Sequence, residues 1–275
     1  MSGTVITDVP AKVPGLNVCA ACVARKSVHL PHKEGRGRAS EYLERVHIHI
    51  ASPMPIASAG SREYVYVVMD GHTRAVYTRP LCLKSEAVEA FKVFKAAAEN
   101  ESGKKIRKIM TDNARELSMR EMREICERDG IKLNTTVPYH PASNGVAERT
   151  IGVLTNTVRA MPHDAGLPKS LWAEAFSTAM YVRNRTPTKA LDGCTPYEML
   201  YDVKPDLAHL CAFSAPCAIV SPSEKLRKLD DRASMCVFVG YKYGGGGYRV
   251  WDPRRSIMIE SQDITFWEDG LLARM

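Results

Sequence analysis

The sequence predicts an α/β domain followed by a small all-β module, and three observations carry that expectation. Val46, Ile48 and Ile50 alternate with His47 and His49, and Tyr64 to Met69 is a β-branched and aromatic run, so the domain opens on strands. Helical and strand-like patterns then follow one another as far as Pro187, the order of an α/β fold. From about 208 to 268 the chain changes to short β-rich runs separated by turns.

The elements follow in order. Residues 1 to about 44 are polar, rich in Lys and Arg, and broken by Pro10, Pro14, Pro31 and the run Gly35 to Arg38, which predicts an irregular, partly disordered segment. After the first two strands, a third at about 74–81 completes a meander. Ser85 reads as the cap of an Ala-rich helix that runs to about Ser102 and stops at Gly103. Ile106 to Met110 reads as a short buried strand ending at Thr111 and Asp112. A helix over about 116–129 ends at Gly130, and Ile131 to Asn134 forms another strand. The loop Val137 to Gly145 feeds a helix in which Ala147, Ile151, Leu154, Val158 and Met161 recur at four and three residues, one face of a core. Ser143 or Asn144 is its expected N-cap and Pro162 its expected end. Another helix follows at about 168–185. The β module is read from Cys217–Val220, Met235–Tyr241, Tyr248–Trp251, Ile257–Ile259 and Ile264–Trp267.

A chain of 275 residues, 45% hydrophobic, holds one sizeable core and one or two small modules. Its net charge of +7 and pI near 9.0 favour a polyanionic partner over an acidic protein or a neutral metabolite. No apolar run reaches the roughly 18 residues of a membrane helix, and the first residues lack the regions of a secretory signal. An intracellular protein with neither membrane contact nor small-molecule substrate is therefore expected. Of eight cysteines, Cys82, Cys126, Cys194, Cys211, Cys217 and Cys236 are isolated, mostly in apolar stretches where a reduced thiol packs as a small hydrophobe.

Asp112 at a strand end and Glu148 just inside a helix can approach one point from different elements, with 35 residues between them, 113 to 147. Two carboxylates facing one cleft are what a pair of Mg²⁺ ions asks for, because hard cations take oxygen ligands. The stretch Val137-Pro-Tyr-His-Pro-Ala-Ser-Asn-Gly-Val-Ala-Glu-Arg149, the turn Thr111-Asp-Asn113 and that interval together resemble the integrase core of retroviruses and copia-type retrotransposons. The resemblance continues through Gly166 to Ala175, Asn184 to Thr188, Thr195 to Glu198, Lys228 to Asp231, Phe238 to Tyr241 and Gly247 to Pro253, covering nearly all of the chain from Cys19 to about Asp269. It implies an α/β RNase H-like integrase core at 45–205, a mixed five-stranded sheet flanked by helices. An SH3-like β-barrel at 206–269 and a tail at 270–275 follow. It also implies 3′ end processing and strand transfer on DNA with Mg²⁺ or Mn²⁺, by a homo-oligomer in the nucleus. The interval and the barrel disfavour an RNase H or a Holliday-junction nuclease on the same fold.

The family has a third acid on its first strand, in a His-x-Asp pattern, where this sequence has His47-Ile-His49. An imidazole offers one nitrogen at most, so metal occupancy should drop. His49 is then either a chance change in a decayed element or a working ligand that favours Mn²⁺ or Zn²⁺, and the chain either an integrase with residual activity or a folded, catalytically silent DNA-binding relic. Asp70 on the next strand is a conceivable substitute acid; its ordinary role is to cap the turn Gly71 to Arg74. Cys19 and Cys22 have the spacing of half a Zn²⁺ site, and the family completes it with two upstream histidines. None precedes Cys19, so residues 1–44 read as a truncated remnant of the zinc-binding module, with His29 and His32 as conceivable stand-ins. For DNA, Lys104, Lys105, Arg107 and Lys108 flank the strand leading to Asp112, while Arg149 and Arg159 lie on the helix of Glu148. Asn113, His140, Ser143 and Asn144 are candidates for holding a DNA strand.

Overall fold

The computed structural model describes residues 38–51, 53–111, 119–135, 145–164, 166–220, 233–243 and 245–267, with backbone alone at 119, 135, 145–148 and 163–164. All of them belong to one compact unit. The first sheet holds β1 (Val46–Ala51), β2 (Tyr64–Asp70), β3 (Val76–Leu81), β4 (Lys108–Thr111) and β5 (Lys132–Thr135) in the order β3-β2-β1-β4-β5. β1 is antiparallel to β2 and parallel to β4, and β4 is parallel to β5, so the sheet is mixed.

Alternation along β1 divides the core in two. Val46, Ile48 and Ile50 pack with α1 (Ala87–Ser102) and α2 (Met119–Asp129), through Phe91, Met122 and Ile125. Ala51, and with it Val65, Val67 and Met69 of β2, packs on the opposite face against α3 (Gly145–Asp164) and α4 (Trp172–Asn184). The apolar stripe expected on α3 is the one buried there: Ile151, Leu154 and Val158, with Met161 at its edge. Burying each such side chain contributes about 1.5–3 kcal/mol.

Local expectations needed three corrections. Ser85 is not the cap of α1. It lies in a 3₁₀ turn, Lys84–Glu86, and the Glu86 carboxylate reaches back to the Cys82 N–H at 2.9 Å, so the chain is already wound before α1 begins. Pro162 sits inside α3 and does not end it. Gly166, at φ 62°, turns the chain, and the Leu167 N–H closes on the Pro162 carbonyl at 3.0 Å. The strand read from Ile106 begins at Lys108, with Ile106 buried ahead of it. A short α5 (Pro196–Tyr201) was not read as an element. Its capping box, Thr195 with Glu198, is a signal that was there to find.

The second sheet is antiparallel: β6 (Pro216–Val220), β7 (Ala233–Tyr241), β8 (Tyr248–Asp252), β9 (Ile257–Ser261) and β10 (Ile264–Phe266), in the order β10-β6-β7-β8-β9. β9 and β10 are opposite edges, yet only Gln262 and Asp263 join them. Edges of a flat five-stranded sheet lie about 19 Å apart, and two linking residues span at most about 11 Å. The sheet is therefore curled into a barrel, filled by Cys217, Cys236, Phe238 and Val250.

α4 joins the two cores. Trp172 and Phe176 face the α/β side, Thr178 donates its hydroxyl to the Val239 carbonyl at 2.8 Å, and Tyr181 stacks on Tyr241 with ring centroids 4.1 Å apart. Arg249 grips Glu174 with Nε at 2.7 Å and Nη2 at 2.8 Å. Gly240 permits this approach, since a Cβ there would meet Thr178 Oγ1 at 2.8 Å. Gly240→Ala should lower stability by about 1–3 kcal/mol, and adding Thr178→Ala should recover part of that loss. Denaturant unfolding of the single and double variants checks this; strictly additive losses would contradict the contact.

Candidate active site

His49 is partly buried on the central strand, opposite Val67 of β2, and shares the sheet face of Ala51 that α3 and α4 cover. His47, one position along that face, is buried opposite Met69 and Met110. Neither imidazole is without a partner. Thr111, the last residue of β4, stands beside Ile48. The next two positions, Asp112 and Asn113, lie outside the described residues. Glu148 belongs to the first turn of α3, where the backbone alone is described. The structure thus brings His49 beneath the helix of Glu148 and beside the strand that leads to Asp112, while the meeting of the two carboxylates lies beyond the described atoms. His140, Ser143 and Asn144 lie outside the described residues, as do Cys19, Cys22, His29 and His32. Among the described residues no group of three His, Cys, Asp or Glu side chains is arranged to hold a metal ion, and no helix is long and apolar enough to cross a membrane.

Asp70 is fully occupied with structure. One oxygen accepts the Leu43 N–H at 3.0 Å, and the other accepts the His72 N–H, the Thr73 N–H and the Thr73 hydroxyl at 2.9, 2.7 and 2.9 Å. It caps the β2–β3 turn, in which Arg74 takes a φ of 60°. A carboxylate that accepts four hydrogen bonds, from its own turn and from Leu43, is held where it is by them.

The basic residues fall into two groups. Around β4, Lys104 and Arg107 pair with Glu41 at 3.2 and 2.8 Å, and Lys105 pairs with Glu99 at 2.9 Å. On α3, Arg149 and Arg159 are exposed, and Gly152 between them adds no side chain to that surface. Glu99 is the more consequential half of its pair. It also accepts from Lys95 Nζ at 3.0 Å and from the Ile106 N–H at 3.0 Å, so it fastens the loop after α1. Burial pushes its carboxyl up, but Lys105, the Ile106 N–H and Lys95 together outweigh burial and hold it below the usual glutamate value.

A groove of about 1160 Å³ was not anticipated. It is bordered by Thr78 and Arg79 of β3, Arg185, Tyr197 of α5, and Lys242 and Tyr243 beyond β7. Arg185 lies over the Tyr181 and Tyr197 rings at 3.5 and 4.8 Å. The four-residue spacing of Tyr181, on α4, and Arg185, just past its end, was the readable trace of it.

Residues 43–141 match the integrase core domain, and residues 215–272 match the retroviral polymerase SH3-like domain. The chain is an integrase core joined to a retroviral SH3-like domain. The motif resemblance to copia-type elements is matched by relatives among plant transposons. The retrovirus-related Pol polyprotein from transposon TNT 1-94 of Nicotiana tabacum is 34% identical over 258 residues, covering 94% of this chain and 19% of the relative. That from transposon RE1 of Arabidopsis thaliana is 29% identical over 251 residues, covering 91% of this chain and 17% of the relative. This integrase segment therefore spans less than a fifth of the length of these polyproteins. Among solved structures, a chain of the simian T-cell lymphotropic virus intasome in complex with PP2A regulatory subunit B56 gamma aligns with a TM-score of 0.51 at 18% identity. The alignment covers 90% of this chain and 87% of that one, a likeness of fold that takes in both modules.

The Glu99 pairing makes a pH prediction. A carboxyl whose folded pKa is depressed contributes stability that is present above its unfolded value and lost as pH falls through the folded one. Stability of the parent should fall below about pH 4.5, the ordinary glutamate value, and Glu99→Gln should flatten that fall while lowering stability at pH 7. Unfolding midpoints measured from pH 7 to pH 3 test it; parallel curves would contradict the assignment.

Proposed function

We propose that this chain is the integrase portion of a retrotransposon Pol polyprotein, that it acts on DNA, and that its catalysis is impaired by His49. The observation that carries the reading is the place of His49: on the central strand, on the face covered by α3, at the position where the family pattern calls for an acid. A carboxylate there would offer two hard oxygens and a negative charge, whereas imidazole offers one nitrogen and none when neutral. Asp112 and Glu148 alone set two negative charges against the four positive ones of two magnesium ions. The donor set does not fit a magnesium pair: the Mg²⁺ or Mn²⁺ chemistry that the resemblance implies lacks its third acid at this residue.

DNA binding rests on other features. Net charge of +7 and the exposed Arg149 and Arg159 on α3 supply phosphate contacts that need no metal. We assign DNA contact to Asn113, His140, Ser143 and Asn144 on the motif alone, and a homo-oligomer acting in the nucleus on family grounds. A second reading, a catalytically silent DNA-binding relic, is favoured by the same histidine, because the strand pairing and packing of β1 ask nothing of a carboxylate at position 49.

Strand transfer by the parent chain and by His49→Asp, with Mg²⁺ and with Mn²⁺, separates the readings. Restoring the acid should raise the rate about 100-fold or more, the usual effect of one electrostatic group at a reacting centre, with DNA affinity little changed. Equal rates in the two proteins would contradict impairment by His49, and a silent revertant would show that the defect is not confined to that residue.

A further inference from the structure

Four arginines gather where the β2–β3 turn meets the end of α4. Asn184 ties that helix to the start of β3: its Oδ1 accepts the Val76 N–H at 2.9 Å and its Nδ2 donates to the Val76 carbonyl at 2.7 Å. Arg183 is thereby set near Arg74 and lies within range of its charge. Arg38 and Arg45 act on Arg74 in the same way. Such a grouping is costly. Arginine stays charged at any pH the protein meets, and burial removes the water that would otherwise separate like charges.

The donors at this place are not spent. Arg183 Nη2 donates to the Thr150 hydroxyl at 3.3 Å. Its Nη1 is buried and has no hydrogen-bond partner among the described residues, and the same is true of Arg74 Nε. Among the described residues Asp70 is the one carboxylate whose charge reaches Arg74, and its oxygens already accept four bonds from Leu43, His72 and Thr73. Neither Arg74 nor Arg183 forms an ion pair among the described residues. Buried N–H donors of fixed positive charge lose their hydration without return unless acceptors are supplied, and an anion supplies both the acceptors and the countercharge.

We propose that Arg74 and Arg183 form a phosphate-binding site, with the Thr150 hydroxyl beside it. A phosphate group has the charge for the cluster, and its oxygens accept from guanidinium forks and from a hydroxyl at once. Thr150 follows Glu148 by two residues on α3, so the site lies on the helix of the candidate catalytic acid but on a different face of it. That source of the phosphate rests on the proposed action on DNA; inorganic phosphate as the ligand does not.

Thermal unfolding of the full chain in rising inorganic phosphate, at constant ionic strength set with chloride, tests the site itself. Saturating phosphate should raise the midpoint of the parent by about 2–4 °C. Arg183→Gln, which can still bond Thr150, and Arg74→Gln should each lose most of that rise, while Arg120→Gln, which removes an exposed arginine on α2, should keep it. The salt dependence of duplex DNA binding then identifies the source. If the phosphate is a DNA phosphodiester, the slope of log affinity against log salt should fall by about one in Arg183→Gln and not in a variant that binds phosphate normally. Loss of the phosphate effect with an unchanged slope supports the site with free phosphate as its ligand. A phosphate-induced rise in Arg183→Gln and Arg74→Gln equal to that of the parent overturns the proposal, whether or not the chain binds DNA.

Discussion

Strand β1 separates two hydrophobic cores, with Val46, Ile48 and Ile50 on the side of α1 and α2 and His47, His49 and Ala51 on the side of α3 and α4. Its register with β2 is fixed over its whole length, and its register with β4 from Val46 to Ile48. A slip of one residue would carry three aliphatic side chains out of one core and two imidazoles into it, so the pairing admits no alternative. Position 49 is thus placed by the backbone, whatever side chain it carries. The strand pairing and packing of β1 therefore make no demand on the side chain at position 49, and what a catalytic centre would ask of that position is a separate matter.

A second constraint links the domains. α4 contributes Trp172 and Phe176 to the α/β core and, from its other face, Glu174, Thr178 and Tyr181 to the barrel. One rigid helix sharing both cores holds the barrel against the core domain through side-chain contacts, and Gly240 is the residue that lets β7 come close enough. The same helix ends at Arg183 and Asn184, where it is tied to β3 next to the arginine cluster. Barrel docking, the outer strand and the cationic turn therefore depend on one element.

Much of this was legible in the chain because period and composition are local. The alternation at 46–50 and the aliphatic run at 64–69 mark the buried strands, and the spacing Ile151, Leu154, Val158 marks the covered face of α3. Ser85 and Pro162 misled, since a cap or a stop read from residue type competes with what the chain does nearby. Glu86 already winds the turn ahead of α1, and the left-handed Gly166 closes α3 beyond its proline. Strand order, barrel closure and the Asn184–Val76 clasp join residues far apart in sequence, and no local pattern reports them. As for the candidate site, the motif supplies Asp112, Glu148 and the exceptional His49, and the turn-capping role expected of Asp70 is the one its four hydrogen bonds show. Lys105, read as a DNA contact, has a structural partner in Glu99 that only the folded chain reveals.

In the proposed site the two remaining carboxylates and His49 share one pocket on the α3 side of the sheet. A crystal structure of the chain measures this directly. The carboxyl groups of Asp112 and Glu148 should lie within about 10 Å of each other, near enough to flank a two-metal centre, with the His49 ring between them on the face that α3 covers. Carboxyl groups farther apart than that, or on opposite faces of the β1–β4 sheet, would contradict the proposed site.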